Sequence, residues 1–204
     1  KKLLVARDMR PTSPLYAQAI IRACQDAGVD VVDIGMVSSP VFNFACLEFP
    51  WSLGGIIVTA SHNPAAYNGF KITRANGSPV GEGSGMEFIA QDVIEGNIDE
   101  ISPQKGICTN MDVKEAYIQK LFSLVDMEQV KPLHIVVDGG NGLADTIFPL
   151  WLSRLPVKVE YLYMTPDGSF PNHEANPLKL ETLHDLQEKV KEVGADLGVS
   201  LDGD

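Results

Sequence analysis

The stretch VTASHNPAAYNGFK, residues 58–71, puts Ser61, His62, Asn63 and Lys71 in and just beyond one short loop. A serine hydroxyl is a weak nucleophile unless a neighbour takes its proton or polarises the group it attacks. His62 adjoins Ser61, but adjacent side chains in extended backbone diverge, so no Ser–His dyad follows. There is no G-x-S-x-G elbow either. Pro64 biases Asn63 toward extended backbone, and Asn68-Gly69 makes a second tight turn. A loop closed by two turns suits a phosphoryl carrier at Ser61 better than an acyl-transfer nucleophile. The plainer alternative is turn chemistry, because Ser, Asn, Pro and Gly commonly follow strands for backbone reasons.

Lys71 stands just after the glycine turn, where its ammonium could hold a phosphate. It could also move protons if neighbouring cations lowered its pKa from the ordinary value of about 10.4. The plain reading is a lysine on a strand edge. Asp202 and Asp204, in the closing LDGD, are two residues apart, so extended backbone turns both carboxylates to one side. Two hard oxygen donors suit Mg²⁺ in a phosphate-handling site, and an ordinary D-G turn is the alternative. Arg7 and Arg10, in ARDMR, are suited to forked contacts with phosphate, unless Asp8 neutralises one of them in an ion pair. The glycine-rich DGGNG at 138–142 could cradle an anion, but it lacks the lysine of a Walker loop and reads better as a tight turn.

These residues need elements to hold them. Apolar strand-like runs at 2–6, 29–35, 54–60 and 69–73 alternate with helical patterns at 13–28, 40–48 and 84–96. In the first helix Ser13 is the expected N-cap and Pro14 fits N1. Leu15, Ala19, Ile20, Ala23, Cys24 and Ala27 form its expected buried face. The polar stretch 96–110 reads as a connector, followed by a helix over 112–125. The pattern then restarts with a strand at 133–140 and a helix over 143–155 that Pro149 should start, kink or break. A strand at 157–164, a turn-rich loop at 165–177, a helix at 180–194 and a strand at 195–201 complete the chain. This alternation predicts an α/β fold: two three-layer α/β/α domains, spanning 1–108 and 111–204, with mixed, mostly parallel sheets. In such sheets ligands sit beyond the carboxyl ends of strands, where ARDMR, TASHNP, DGGNG and LDGD all stand.

Composition narrows the function classes. A net charge of -11 on 204 residues argues against a nucleic-acid or anionic-membrane partner. It leaves an anionic small molecule open, since a few local cations suffice. Cys24, Cys46 and Cys108 are odd in number and widely spaced, which suits reduced thiols in a cytoplasmic protein rather than a disulfide framework. No signal peptide and no apolar run of about 18 residues occurs. Lys1 is not a natural start, so a preceding segment is expected.

Together the motifs resemble the α-D-phosphohexomutase family, in its phosphomannomutase/phosphoglucomutase branch. ARDMRPTS resembles the first-domain arginine loop, and GGIIVTASHNPAAYNGFKI the phosphoserine loop. VVDGGNG resembles the turn opening the second domain, FPNHEANPLKLETLHDL that domain's loop and helix, and ADLGVSLDGD the start of a D-G-D-x-D-R metal loop. The resemblance implies that Ser61 carries a phosphoryl group, gives it to a hexose phosphate, and takes one back from the resulting hexose 1,6-bisphosphate. It implies Mg²⁺ bridging that phosphate and the aspartates, an acid/base role for Lys71, and His62 and Asn63 lining the loop. It also implies four domains, of which this chain holds the first and most of the second. The fragment alone is then expected to be inactive, with sugar recognition in the C-terminal domains. Phosphoglucosamine mutase is the nearest alternative, disfavoured by AAYNGFK. A non-catalytic sugar-phosphate-binding paralogue is disfavoured by the intact Ser61 and Lys71. A haloacid-type phosphatase would place D-x-D after the first strand, where ARDMR stands.

Overall fold

The computed structural model describes residues 1–97 and 101–204. Its two sheets lie in two successive domains. The first sheet contains β1 (Lys2–Arg7), β2 (Val31–Met36), β3 (Ser52–Val58), β4 (Phe70–Arg74), β5 (Pro79–Val80) and β6 (Cys108–Asn110). Their spatial order is β5-β4-β3-β1-β2-β6. β1, β2, β3 and β6 pair in parallel, and β4 and β5 fold back antiparallel at one edge.

Side-chain alternation builds both faces of this sheet. Val5, Val31 and Val58 point to α1 (Ser13–Asp26) and meet Ala17 and Ile21. Leu4, Ala6, Val32, Ile34 and Ile57 point the other way, to Val41, Phe42, Ala45 and Cys46 of α2 (Ser39–Glu48). Gly55 is required here because a Cβ would lie 2.7 Å from both the Leu4 carbonyl oxygen and the Phe42 ring. α3 (Met86–Glu95) buries no residue. α4 (Lys114–Ser123) adds Ile118 to the α2 side.

The second sheet, β8-β7-β9, is wholly parallel: β7 (Leu133–Asp138) lies between β8 (Val157–Leu162) and β9 (Leu197–Ser200). α5 (Phe148–Leu152) packs on Ile135 and Val137. α6 (His184–Val193) covers the opposite face, and a Cβ on Gly198 would be 2.9 Å from Leu186 and Val190. Ile147, Phe148 and Trp151 also join the cluster beneath α2, so one apolar body spans both domains. This is the expected mixed, mostly parallel α/β architecture.

Three local expectations are corrected. The cap of α1 is Thr12, because the Ser13 hydroxyl donates to the Asp8 carboxylate instead. The buried face of α1 is Ser13, Ala17 and Ile21; of the expected residues Ile20 and Cys24 pack partly buried beside it, while Leu15, Ala19, Ala23 and Ala27 are exposed. The expected connector contains β6, which pairs with β2, while its residues 98–100 lie outside the described residues. Pro149 does interrupt the helix: a 3-10 turn at Ala144–Thr146 ends before α5, which has the proline in its first turn. No helix among the described residues is long and apolar enough to cross a membrane.

Candidate active site

The loop between β3 and β4 is held open by its own backbone. Thr59 N–H donates to the Gly69 carbonyl at 3.0 Å, Asn63 N–H to Ala60 at 3.0 Å, and Tyr67 N–H to Pro64 at 3.0 Å. At its tip Ser61 adopts φ 52, a left-handed conformation that non-glycine residues avoid. Such backbone persists only where the surroundings over-determine it. Here the Ser61 N–H donates to Thr59 Oγ1 at 3.0 Å, and the Ser61 carbonyl accepts from Arg10 at 2.8 Å.

Arg10 is the principal holder of this loop. Its side chain is 1% exposed. Nε donates to Asp8, Nη1 to the Pro64 and Tyr67 carbonyls, and Nη2 to the Ser61 and Asn63 carbonyls, all between 2.7 and 3.1 Å. That accounts for all five guanidinium N–H groups. The expectation of a phosphate contact from Arg10 is therefore corrected: it has no free donor. Asp8, wholly buried, accepts from the Arg10 N–H and side chain and from Ser13, which fixes the strand-to-helix turn. Asn68 completes the frame by donating to Thr12 and Ser13. Arg7 lies at the end of β1 with only a long contact, 3.5 Å, to the Asp8 carbonyl, and forms no ion pair among the described residues.

The last residues reach this loop from the other domain. Ser61 Oγ donates to Asp202 Oδ2 at 3.2 Å, and His62 Nδ1 stands 3.7 Å from the same oxygen. Asp204 Oδ2 accepts from Lys71 Nζ at 2.7 Å, Thr59 Oγ1 at 2.7 Å and Ser39 Oγ at 2.9 Å. Lys71 also reaches Ser39 at 3.1 Å. Burial pushes the Asp204 carboxyl upward, but the hydrogen bonds from Lys71 and Thr59, the Lys71 charge and the Ser39 bond outweigh it and hold the group below its ordinary value. The two aspartates do not act as a simple pair. The Asp204 N–H donates to Asp202 Oδ1 at 3.0 Å, and this turn sends their carboxylates to different partners.

Ser61, His62, Lys71, Asp202 and Asp204 thus converge. Asn63 is exposed, and its amide donates to the Ala60 carbonyl within the loop. DGGNG makes no anion cradle, because the N–H groups of Gly139, Gly140, Asn141 and Gly142 are taken by Leu162, Asp138, Tyr163 and Gly139. Thr59 and Ser39 complete the site without having been singled out in the sequence. Thr59 lies inside the quoted stretch, whereas nothing local marks Ser39. For a cation, the donors present are oxygens, as a hard ion requires. Ser61 Oγ and Asp202 Oδ2 already face each other, and Asp202 is 30% exposed and so reachable. Asp204 fits only through Oδ1, since Oδ2 holds three donors. Among the described residues no three or more His, Cys, Asp or Glu are placed to hold a metal ion by themselves.

Residues 1–97 match the family model described as phosphoglucomutase/phosphomannomutase, alpha/beta/alpha domain I, and residues 115–204 match that of domain II. The chain belongs to the phosphoglucomutase/phosphomannomutase family. It is 36% identical to a phosphomannomutase of Salmonella montevideo, covering 100% of this chain and 46% of that protein. It is 37% identical to a phosphomannomutase/phosphoglucomutase of Pseudomonas syringae pv. tomato, covering 98% and 41%. A crystal structure of a phosphoglucomutase/phosphomannomutase family protein from Burkholderia thailandensis superposes with TM-score 0.86 at 32% identity, covering 100% of this chain and 44% of that one. The chain therefore spans less than half the length of these family members.

Proposed function

We propose that this chain forms the phosphoryl-carrying part of a hexose-phosphate mutase. The reaction would interconvert the 1- and 6-phosphates of mannose, glucose or both, through phospho-Ser61 and a hexose 1,6-bisphosphate. The observation that carries the reading is the convergence of Ser61, Lys71, Asp202 and Asp204 from two distant parts of the chain, at 2.7 to 3.2 Å, in the pairs Ser61–Asp202 and Lys71–Asp204. The phosphomannomutase names of its relatives support the substrate class.

In the first half-reaction the bond from Ser61 Oγ to phosphorus breaks as a free sugar hydroxyl bonds to that phosphorus. The sugar hydroxyl gives its proton to a base as Ser61 Oγ, released from phosphorus, takes one up, and positioning supplies much of the rate in such transfers. Lys71, oriented by Asp204 and Ser39, is the acid/base candidate, with His62 beside Asp202 as the second. The bisphosphate then turns over and returns its other phosphoryl to Ser61. Arg7 and the Asn63 amide are the candidates for substrate phosphate contacts from this chain, and Arg10 acts by shaping the loop. Ser61 with its phosphate, Asp202 and Asp204 Oδ1 would hold Mg²⁺, which when bound neutralises charge on the moving phosphoryl. Alone, this chain should bind hexose phosphates weakly and turn over negligibly, because it spans under half of its relatives. Three unpaired cysteines fit a cytoplasmic setting.

The test is to incubate the full-length protein with glucose 1,6-bisphosphate and map phosphate by peptide mass spectrometry. The expected label is on Ser61, absent in Ser61→Ala together with turnover. Phosphate on another residue, with Ser61→Ala fully active, overturns the reading.

A further inference from the structure

The turn-rich loop at 165–176 leaves the second domain and returns by way of the first. Its base is tied down by Asn141: Asp167 N–H donates to the Asn141 carbonyl at 2.8 Å, and the Asn141 amide donates to the Thr165 carbonyl at 2.9 Å. Asn172 donates to Asn141 Oδ1 at 2.7 Å, and His173 Nε2 meets the buried Asp138 carboxylate at 3.0 Å. Its tip rests on Arg10. Gly168 is buried so tightly that a Cβ there would lie 2.6 Å from Arg10 Cα. Phe170, at φ 52, sets its ring centroid 5.3 Å from the Arg10 guanidinium carbon. A bulky residue at positive φ is an outlier that the surroundings must enforce. One strained residue, Phe170, thus covers a guanidinium whose Nη2 holds another strained residue, Ser61.

We propose that Arg10 and Phe170 are positioning residues for phosphoryl transfer: the second-domain loop, seated on the guanidinium through Phe170, fixes the left-handed conformation of Ser61. This rests on the reading of Ser61 as the phosphoryl carrier. An aromatic face attracts a guanidinium most strongly where water is excluded, and hydrogen bonds strengthen in the same dry surroundings. Removing the ring admits water to compete for the donors that now hold the Ser61, Asn63, Pro64 and Tyr67 carbonyls. Ser61 then samples other backbone conformers. The docking of one domain on the other is in this way coupled to the aim of the reacting oxygen.

The experiment uses Phe170→Ala and Phe170→Leu in the full-length protein, with Arg10→Lys as a third variant that keeps the charge but loses the fork. Phe170 is only half-buried, so its removal leaves both cores intact. In Phe170→Ala, kcat should fall about ten- to a hundredfold with KM within about twofold, as expected when a reacting group is displaced by an ångström or less. Amide exchange at 61–68, where Asn63 and Tyr67 are hydrogen-bonded, should accelerate about tenfold or more while β7 stays unchanged, the signature of local opening. Phe170→Leu should fall between Phe170→Ala and wild type, and Arg10→Lys should lose at least as much as Phe170→Ala. Unchanged exchange at 61–68 together with near-wild-type kcat overturns the proposal. So does acceleration equal in 61–68 and β7, which marks general destabilisation. If wild type carries no phosphate on Ser61, the carrier reading fails, and the exchange comparison still decides the positioning claim separately.

Discussion

Thr59→Val tests the wiring between the serine loop and the second domain. The side chain is 2% exposed, and its hydroxyl both donates to Asp204 at 2.7 Å and accepts from the Ser61 N–H at 3.0 Å. Valine keeps the shape and removes both bonds. A hydrogen bond to a charged group contributes about 1.5–3 kcal/mol and a neutral one about 0.5–1.5 kcal/mol. Asp204 is itself only 3% exposed, so water does not replace the first bond. The expected loss is about 2–4 kcal/mol, a large share of a typical stability of about 5–15 kcal/mol, without unfolding the chain. In urea the midpoint should drop by about 1 M or more. Trp51, stacked on Phe49 in the first domain, and Trp151, in the cluster shared by both, report the transition by fluorescence. Thr59→Ser is the control, because it retains the hydroxyl and loses one methyl, worth about 0.8 kcal/mol. The reasoning is refuted if Thr59→Val lies within about 0.5 kcal/mol of wild type, or if Thr59→Ser falls as far as Thr59→Val.

Other consequences are open to simple measurement. Gly142→Ala would put a Cβ 2.9 Å from Gly203 and 3.0 Å from the Asp202 carbonyl, pushing on the turn that aims both aspartates. Turnover of the full-length protein should fall about tenfold or more, and wild-type kinetics would contradict that packing argument. Burial pushes the Cys46 thiol up to about 12, and the side chain is 1% exposed, whereas Cys108 is exposed. A thiol reagent at pH 8 should modify Cys108 first and reach Cys46 only on unfolding, as peptide mapping would reveal. Burial also raises the Asp138 carboxyl, against the lowering effects of the Gly140 N–H and His173. A raised carboxyl contributes stability below the unfolded value of about 3.9 and loses it as pH rises through the folded one. Asp138→Asn should therefore gain stability relative to wild type between pH 3.5 and pH 7 in paired urea titrations. A difference that stays constant or moves the other way would rule this out.

The strands were legible because burial on both faces leaves near-continuous apolar runs such as GGIIV and HIVVD. β6 was not, because Cys108, Thr109 and Asn110 are all exposed and form a strand only by pairing with β2. The buried face of α1 was misread because alanine, leucine and isoleucine occur around much of its circumference. The decisive residue is polar: Ser13 turns inward to satisfy Asp8, and the 13–17–21 stripe follows from that bond. Hydrophobic periodicity cannot register a helix anchored by a carboxylate.

The site divides along a similar line. Ser61 and Lys71 lie in and just beyond one short loop, and Asp202 and Asp204 are separated by one residue, so local patterns drew attention to them. Arg10 was visible as a cation but not in its role, because four of its acceptors lie 51 to 57 residues away. Those acceptors are backbone carbonyls, which carry no side-chain signature in sequence. Ser39, 165 residues from Asp204, lies in the same category. What the sequence conceals is thus the scaffold rather than the side chains that meet in the loop. The proposed phosphoryl carrier needs a serine, a cation and carboxylates, and these residue types are written in the motif. Holding that serine at positive φ needs donors aimed at particular carbonyls, and any fold that brings an arginine to the right place can supply them. The Phe170 contact follows the same logic at one further remove. Substituting Phe170 changes none of the chemistry-bearing residues, so an effect on Ser61 could arise only through the geometry of the folded chain.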